Sequence, residues 1–168
     1  MNGDSTESLI QKYANKGIFV DTNLLLLLLV GLTDPQLVPK FPRTEQFVPE
    51  DFDTLNIFLS KFKLRLTLPN VLTEVSNLAG KIDGKAKKIF DEKFRKFIET
   101  IDETYVPSGD LIEDDRFSRF GLTDCAIMTL VKKRYLLLTD DFRLSKYFLS
   151  IGGDVINFNH IRIWAQAE

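Results

Sequence analysis

The sequence predicts an α/β fold: three layers, α/β/α, on a central, mainly parallel sheet. Short apolar segments alternate with stretches of helical spacing along the chain. That alternation is the mark of strands joined by crossover helices, with helices on both faces of the sheet. The segments at 18–20 and 136–138 are continuous apolar runs, as strands covered on both faces require. With 168 residues and 44% apolar content, the chain can fill a sizeable core and is not disordered. It reads as one domain over residues 1–168, with its core from about 17 to 158.

Leu9, Ile10, Tyr13 and Ala14 have helical spacing and predict a short opening helix. Gly17, Ile18, Phe19 and Val20 then read as a buried strand ending at Asp21. Residues 24–30 are all apolar and predict a buried helix. This run is far shorter than the ~20 residues that span a bilayer. Polar Asp21, Thr22 and Asn23 precede it. The amino-terminal residues lack a basic run, so no signal peptide is expected. The expectation is a cytoplasmic protein with no membrane contact.

Pro35, Pro39, Pro42 and Pro49 predict a surface loop over 31–49. Phe52, Leu55, Leu59 and Phe62 are spaced for a second helix. Residues 64–68 read as a strand stopped by Pro69. Val71, Leu72, Val75 and Leu78 mark a helix ending at Gly80. A longer helix runs from about 84 to 101, with Phe90, Phe94, Phe97, Ile98 and Ile101 on one face. Tyr105, Val106 and Pro107 suggest a short strand. A helix starts near Thr123 and carries Ile127, Leu130 and Val131. A strand over 135–139, a helix through Leu144, Tyr147, Phe148 and Ile151, and a last strand over 154–157 complete the order.

Charge and composition narrow the chemistry. Lys+Arg minus Asp+Glu is 22 − 24 = −2. With no global basic field, any nucleic acid must be held by a local patch or a metal ion. The single cysteine, Cys125, excludes an internal disulfide framework and a cysteine-based zinc site. It reads as a small buried residue in a reducing compartment. The single histidine, His160, excludes a two-histidine ribonuclease mechanism and reads as a surface or interface residue. No dinucleotide or phosphate-loop glycine motif is present.

In a parallel α/β sheet the ligand site lies beyond the carboxyl ends of the strands. Acidic residues gather there. Asp21 follows the first strand, and Asp140 and Asp141 follow the strand ending at Thr139. Asp124 opens a helix, and Glu74 lies one turn into another. Clustered carboxylates repel one another, and a divalent cation removes the conflict. Mg²⁺ and Mn²⁺ prefer oxygen ligands and activate water toward a phosphodiester. Taken singly, helix capping accounts for each aspartate, and a solvated helix face accounts for Glu74. Taken together, their common placement at strand ends favours a site.

The chain resembles the PIN-domain family, and within it the single-domain VapC-like ribonucleases. The resemblance rests on four segments: Ile18-Phe19-Val20-Asp21-Thr22-Asn23-Leu24-Leu25, Val71-Leu72-Thr73-Glu74-Val75, Gly121-Leu122-Thr123-Asp124-Cys125-Ala126-Ile127, and Leu137-Leu138-Thr139-Asp140-Asp141 with Leu144. It implies an acidic tetrad of Asp21, Glu74, Asp124 and Asp141 that binds Mg²⁺ or Mn²⁺. Asp140 is the rival for the fourth place. Asn23 resembles the polar residue that supports the first Asp, and Thr22 and Thr123 are expected hydrogen-bond partners. The implied activity is metal-dependent hydrolysis of RNA, with Asp21, Asp124 and Asp141 on metal and Glu74 as a ligand or a base. The resemblance further implies the toxin of a toxin–antitoxin pair, a homodimer, and an antitoxin peptide across the acidic cleft. The segment 31–49 is longer and richer in proline than is usual in that family.

Lys132, Lys133 and Arg134 form a basic cluster that can contact an RNA backbone or simply face solvent. The lysines and arginines between 81 and 96 are interleaved with Asp91 and Glu92 and read as a solvated helix face. Most of the 14 phenylalanines have core spacing; Phe142, beside the acidic pair, is the one candidate for base stacking. Two rival functions stand beside the ribonuclease. One is a non-catalytic PIN-like interaction module in which the acids are caps. The other is a DNA-directed nuclease with the same metal chemistry.

Overall fold

A computed structural model describes residues 3–112, 115–132 and 134–165. The strands are β1 (Ile18–Val20), β2 (Arg65–Thr67), β3 (Asp102–Glu103), β4 (Leu136–Thr139) and β5 (Val155–Asn157). They form one sheet in the order β3–β2–β1–β4–β5, parallel throughout. The helices are α1 (Gly3–Tyr13), α2 (Thr22–Thr33), α3 (Pro49–Leu59), α4 (Pro69–Ala79), α5 (Gly84–Thr100), α6 (Phe117–Val131), α7 (Phe142–Ser150) and α8 (Phe158–Ala165). The three-layer α/β/α expectation is met.

From β1 the chain first builds outward through β2 and β3, then returns to the other side of β1 to lay down β4 and β5. β1 and β4 are therefore neighbours whose connections diverge. The crevice beyond their carboxyl ends is where such sheets bind ligands. Register brings Val20 level with Leu138, and the Asp21 amide donates to the Leu138 carbonyl at 3.1 Å.

α2 is apolar all round, so it is stable only where every side is covered. Residues 24–30 are buried without exception, and α3, α4 and α5 all pack against this helix. The contact with α3 is close. A Cβ at Gly31 would lie 2.2 Å from the Phe52 ring, so only glycine permits this crossing. Among the described residues no helix is long and apolar enough to cross a membrane.

Several expectations are corrected. The segment 31–49 is a surface loop only in part. Its first residues complete α2, Pro35–Lys40 forms a 3-10 turn, and Val38, Phe41, Thr44 and Phe47 are buried. The apolar residues between the prolines, not the prolines, decide where it lies. The edge strand is Asp102–Glu103 rather than 105–107. Its two residues are exposed, so no hydrophobic pattern reveals it. α6 begins at Phe117, ahead of Thr123, and breaks at Gly121, whose φ of 82° and ψ of 180° are not helical. The expected aromatic face of α5 is narrower, because Ile98 is exposed. α8 had no expected counterpart; it follows β5 directly and anchors through buried Phe158.

Candidate active site

Asp21, Glu74, Asp124 and Asp141 line one open pocket of about 130 Å³, together with Thr22, Asn23, Ile127 and Leu144. The pocket sits at the β1–β4 crevice. Each acid arrives on a different element.

Asp21 ends β1 and caps α2, accepting from the Leu24 amide at 3.0 Å. Its other oxygen accepts the Thr139 hydroxyl and the Asp140 amide, the latter at 3.3 Å. Burial holds its carboxyl well above the usual range, and the charge of Asp140 adds to the effect. Asp141 caps α7 through the amides of Arg143 and Leu144, at 2.6 and 3.0 Å. Glu74 stands exposed on α4, its oxygens taken by Thr22 at 2.9 Å and Thr123 at 2.6 Å. One carboxylate thus ties α2, α4 and α6 together.

Asp124 differs from the rest. The break at Gly121 restarts α6 and places Thr123 and Asp124 in the first turn of its second segment. The Asp124 side chain accepts no hydrogen bond from the described residues. Its carboxyl is pushed up to about 6, first by burial and then by the charges of Asp141 and Glu74. Arg143 opposes that shift.

Asp140 turns away from the pocket. It is buried and accepts from Gln46 at 2.8 Å and Asn23 at 3.3 Å. Burial raises its carboxyl as well. Of the two rivals, Asp141 is therefore the one facing the other three acids. Asn23 lines the pocket, but its amide serves Asp140 rather than Asp21, which corrects the role expected for it. Thr22 and Thr123 both donate to Glu74.

Of the basic cluster, Lys132 and Arg134 are not brought to the pocket. Lys132 and Arg134 are exposed in the turn entering β4, a strand's length from Asp140 and Asp141. Lys133 lies outside the described residues. Phe142 is 61% exposed, its ring edge-on to the exposed His160 at 6.0 Å. Cys125 is buried.

Sequence reasoning missed Thr139, Gln46 and Asn159. Thr139 carried a signal, a hydroxyl at the end of an apolar strand beside two acids. Gln46 carried none, since 94 residues separate it from Asp140. Asn159 donates to the Asp140 carbonyl at 2.8 Å from a helix that was not expected.

Every charged donor in the pocket is a carboxylate oxygen, and neither Cys125 nor His160 lines it. That set fits a hard cation such as Mg²⁺ or Mn²⁺ rather than a softer metal. As placed, Asp21, Asp141 and Glu74 serve caps and threonines. Among the described residues no three His, Cys, Asp or Glu side chains converge as a formed cage.

No protein-family model matches the sequence, and no curated protein matches it.

Proposed function

We propose that this protein is a Mg²⁺- or Mn²⁺-dependent nuclease that hydrolyses phosphodiester bonds in RNA. One observation carries the reading: four acids from four separate elements line a single pocket at the switch point of a parallel sheet. Capping accounts for Asp21 and Asp141. It does not account for Asp124, which caps nothing, accepts no hydrogen bond from the described residues, and stands half-buried beside two like charges that Arg143 only partly offsets. A purely structural role would not crowd carboxylates in this way.

In this reading Asp21, Asp124 and Asp141 hold the cation, and Glu74 completes the set. The bound cation offsets the mutual repulsion, activates water and stabilises charge on the phosphoryl oxygens. The caps fix Asp21 and Asp141 on rigid helix starts. Thr22 and Thr123 hold Glu74 at the open side of the pocket, where it can orient water or accept its proton. Ile127 and Leu144 form the apolar wall.

The test is cleavage of a mixed pool of structured RNA with Mg²⁺, Mn²⁺ or EDTA, wild type beside Asp21→Asn. Cleavage that needs both the metal and Asp21 is the expected result. Cleavage indifferent to EDTA or to the substitution overturns the assignment. Preferential cleavage of matched DNA would move the substrate to DNA. No cleavage and no calorimetric Mn²⁺ binding would favour the interaction module.

A further inference from the structure

A second groove adjoins the acidic pocket. It measures about 600 Å³ and is lined by Arg119, Phe142, Arg143, Lys146, Tyr147 and Ser150, from α6 and α7. That volume lies in the range of ligand clefts, roughly 300–1,000 Å³. Its chemistry is the reverse of its neighbour's: three cations and two aromatic rings, with no acid in the lining.

The arginines are held in place. The Phe120 and Tyr147 rings stack at 4.8 Å between centroids. The Arg119 guanidinium lies 5.0 Å from the Phe120 ring and 5.5 Å from the Tyr147 ring. That of Arg143 lies 4.8 Å from the Phe120 ring and donates to the Arg119 carbonyl. Ring stacking fixes a guanidinium without neutralising it. Among the described residues Arg119, Arg143 and Lys146 form no ion pair. Arg119 and Arg143 are thus held side by side over one aromatic pair, with Asp124 offsetting only part of the charge of Arg143, and a bound anion relieves the rest. Phosphate suits the planar guanidinium fork. The exposed Phe142 ring, next in sequence to Asp141, offers a platform for a flat base.

We propose that this groove binds the backbone of single-stranded RNA, with Arg119, Arg143 and Lys146 on phosphates and Phe142 stacked on a base. The proposal rests on the nuclease reading only in taking the bound strand as the arm beside the cleaved bond. The segment Asp141-Phe142-Arg143 joins the two sites, because Asp141 lines the acidic pocket and the next two residues line the groove.

The test is fluorescence anisotropy with an unstructured single-stranded RNA in EDTA, so that binding is read without cleavage. The Arg119→Ala/Lys146→Ala variant should bind roughly tenfold or more weakly. Its slope of log affinity against log salt should fall by about 0.7 for each phosphate no longer neutralised. Phe142→Ala should weaken binding roughly tenfold with little change of slope. Arg119→Lys/Lys146→Arg should restore most of the affinity, which separates missing charge from a damaged fold. Unchanged affinity and slope in the alanine variant would overturn the proposal, as would tighter binding of the matched RNA duplex. If wild type binds in EDTA yet never cleaves with Mn²⁺, the nuclease reading fails and the groove stands. If cleavage needs metal but the alanine variant binds normally, the groove fails and the nuclease reading stands.

Discussion

Thr139 donates its hydroxyl to Asp21 across the junction of β1 and β4, and the same oxygen accepts the Asp141 amide at 3.0 Å. One buried side chain therefore sets two of the four acids of the pocket. Thr139→Val keeps the shape and removes both hydrogen bonds. It should cost about 1–3 kcal/mol, because buried Asp21 loses one of its three donors and the Asp141 amide loses its acceptor. Thr139→Ser should retain most of the stability. Thermal unfolding checks both, and metal-dependent cleavage should fall in the valine variant before the fold is lost.

Asp21→Asn should remove cleavage without weakening the apo protein at neutral pH. Asparagine keeps an oxygen for the Leu24 amide, and its amide can donate to Thr139. It also replaces a carboxyl whose charged form burial and Asp140 disfavour. The melting temperature of the metal-free variant should equal or exceed that of wild type. A fall of more than a few degrees would mean that the ionised carboxylate is a structural requirement.

The pH dependence of stability has a definite sign. Asp21 and Asp124 both have carboxyls raised above their unfolded value of 3.8, Asp124 to about 6. Across the window between those values the folded state binds more protons than the unfolded one. Stability from these groups is therefore full below about 4 and falls as pH rises, through about 6 for Asp124 and on through about 8 for Asp21. Without metal the protein should melt several degrees higher near pH 5 than near pH 7.5, at roughly 3 °C per kcal/mol for a chain of this size. Mn²⁺ at a hundredfold excess over its dissociation constant should add about 2.7 kcal/mol at neutral pH. It should add much less at pH 5, where protons compete for the same oxygens. Calorimetric scans at both pH values, with and without Mn²⁺, check the sign.

Much of this was legible in the sequence, for physical reasons. Continuous apolar runs at 18–20 and 136–138 betray strands covered on both faces, and the fold class follows. The acids that follow those strands sit where a parallel sheet presents its loops, so Asp21 and the pair Asp140 and Asp141 could be placed from the chain, while the preference for Asp141 came from the family resemblance. Glu74 and Asp124 needed helix positions relative to the sheet, which the periodicity supplied. What stayed hidden depends on partners distant in sequence or on residues with no hydrophobic signature. Asp102 and Glu103 form an exposed edge strand that only β2 defines. Gln46 reaches Asp140 from a segment that the prolines disguised as a surface loop. The groove of Arg119 and Arg143 arises because two helices bring separate arginines onto one pair of rings.

The segment carrying Gln46 is fastened from the far end of the chain. Arg162 on α8 lies 3.2 Å from buried Asp51, donates to the Gln46 carbonyl at 3.1 Å, and stacks 5.0 Å from the Phe47 ring. Asp51 also accepts the Val48 amide at 2.9 Å. α8 thus straps the segment against the site, and Gln46 passes the constraint to Asp140, the neighbour of Asp21. Arg162→Met keeps the stacked stem and removes the charge beside Asp51. It should lower stability, by about 3 kcal/mol at most, since buried Asp51 loses its ion pair with Arg162. The double variant Arg162→Met/Asp51→Asn should recover part of that stability, because no charge is then left buried. Hydrogen exchange should rise at the Phe47 and Val48 amides in the single variant while the sheet stays protected. Equal destabilisation in the single and double variants would show that packing of α8, not the ion pair, holds the strap.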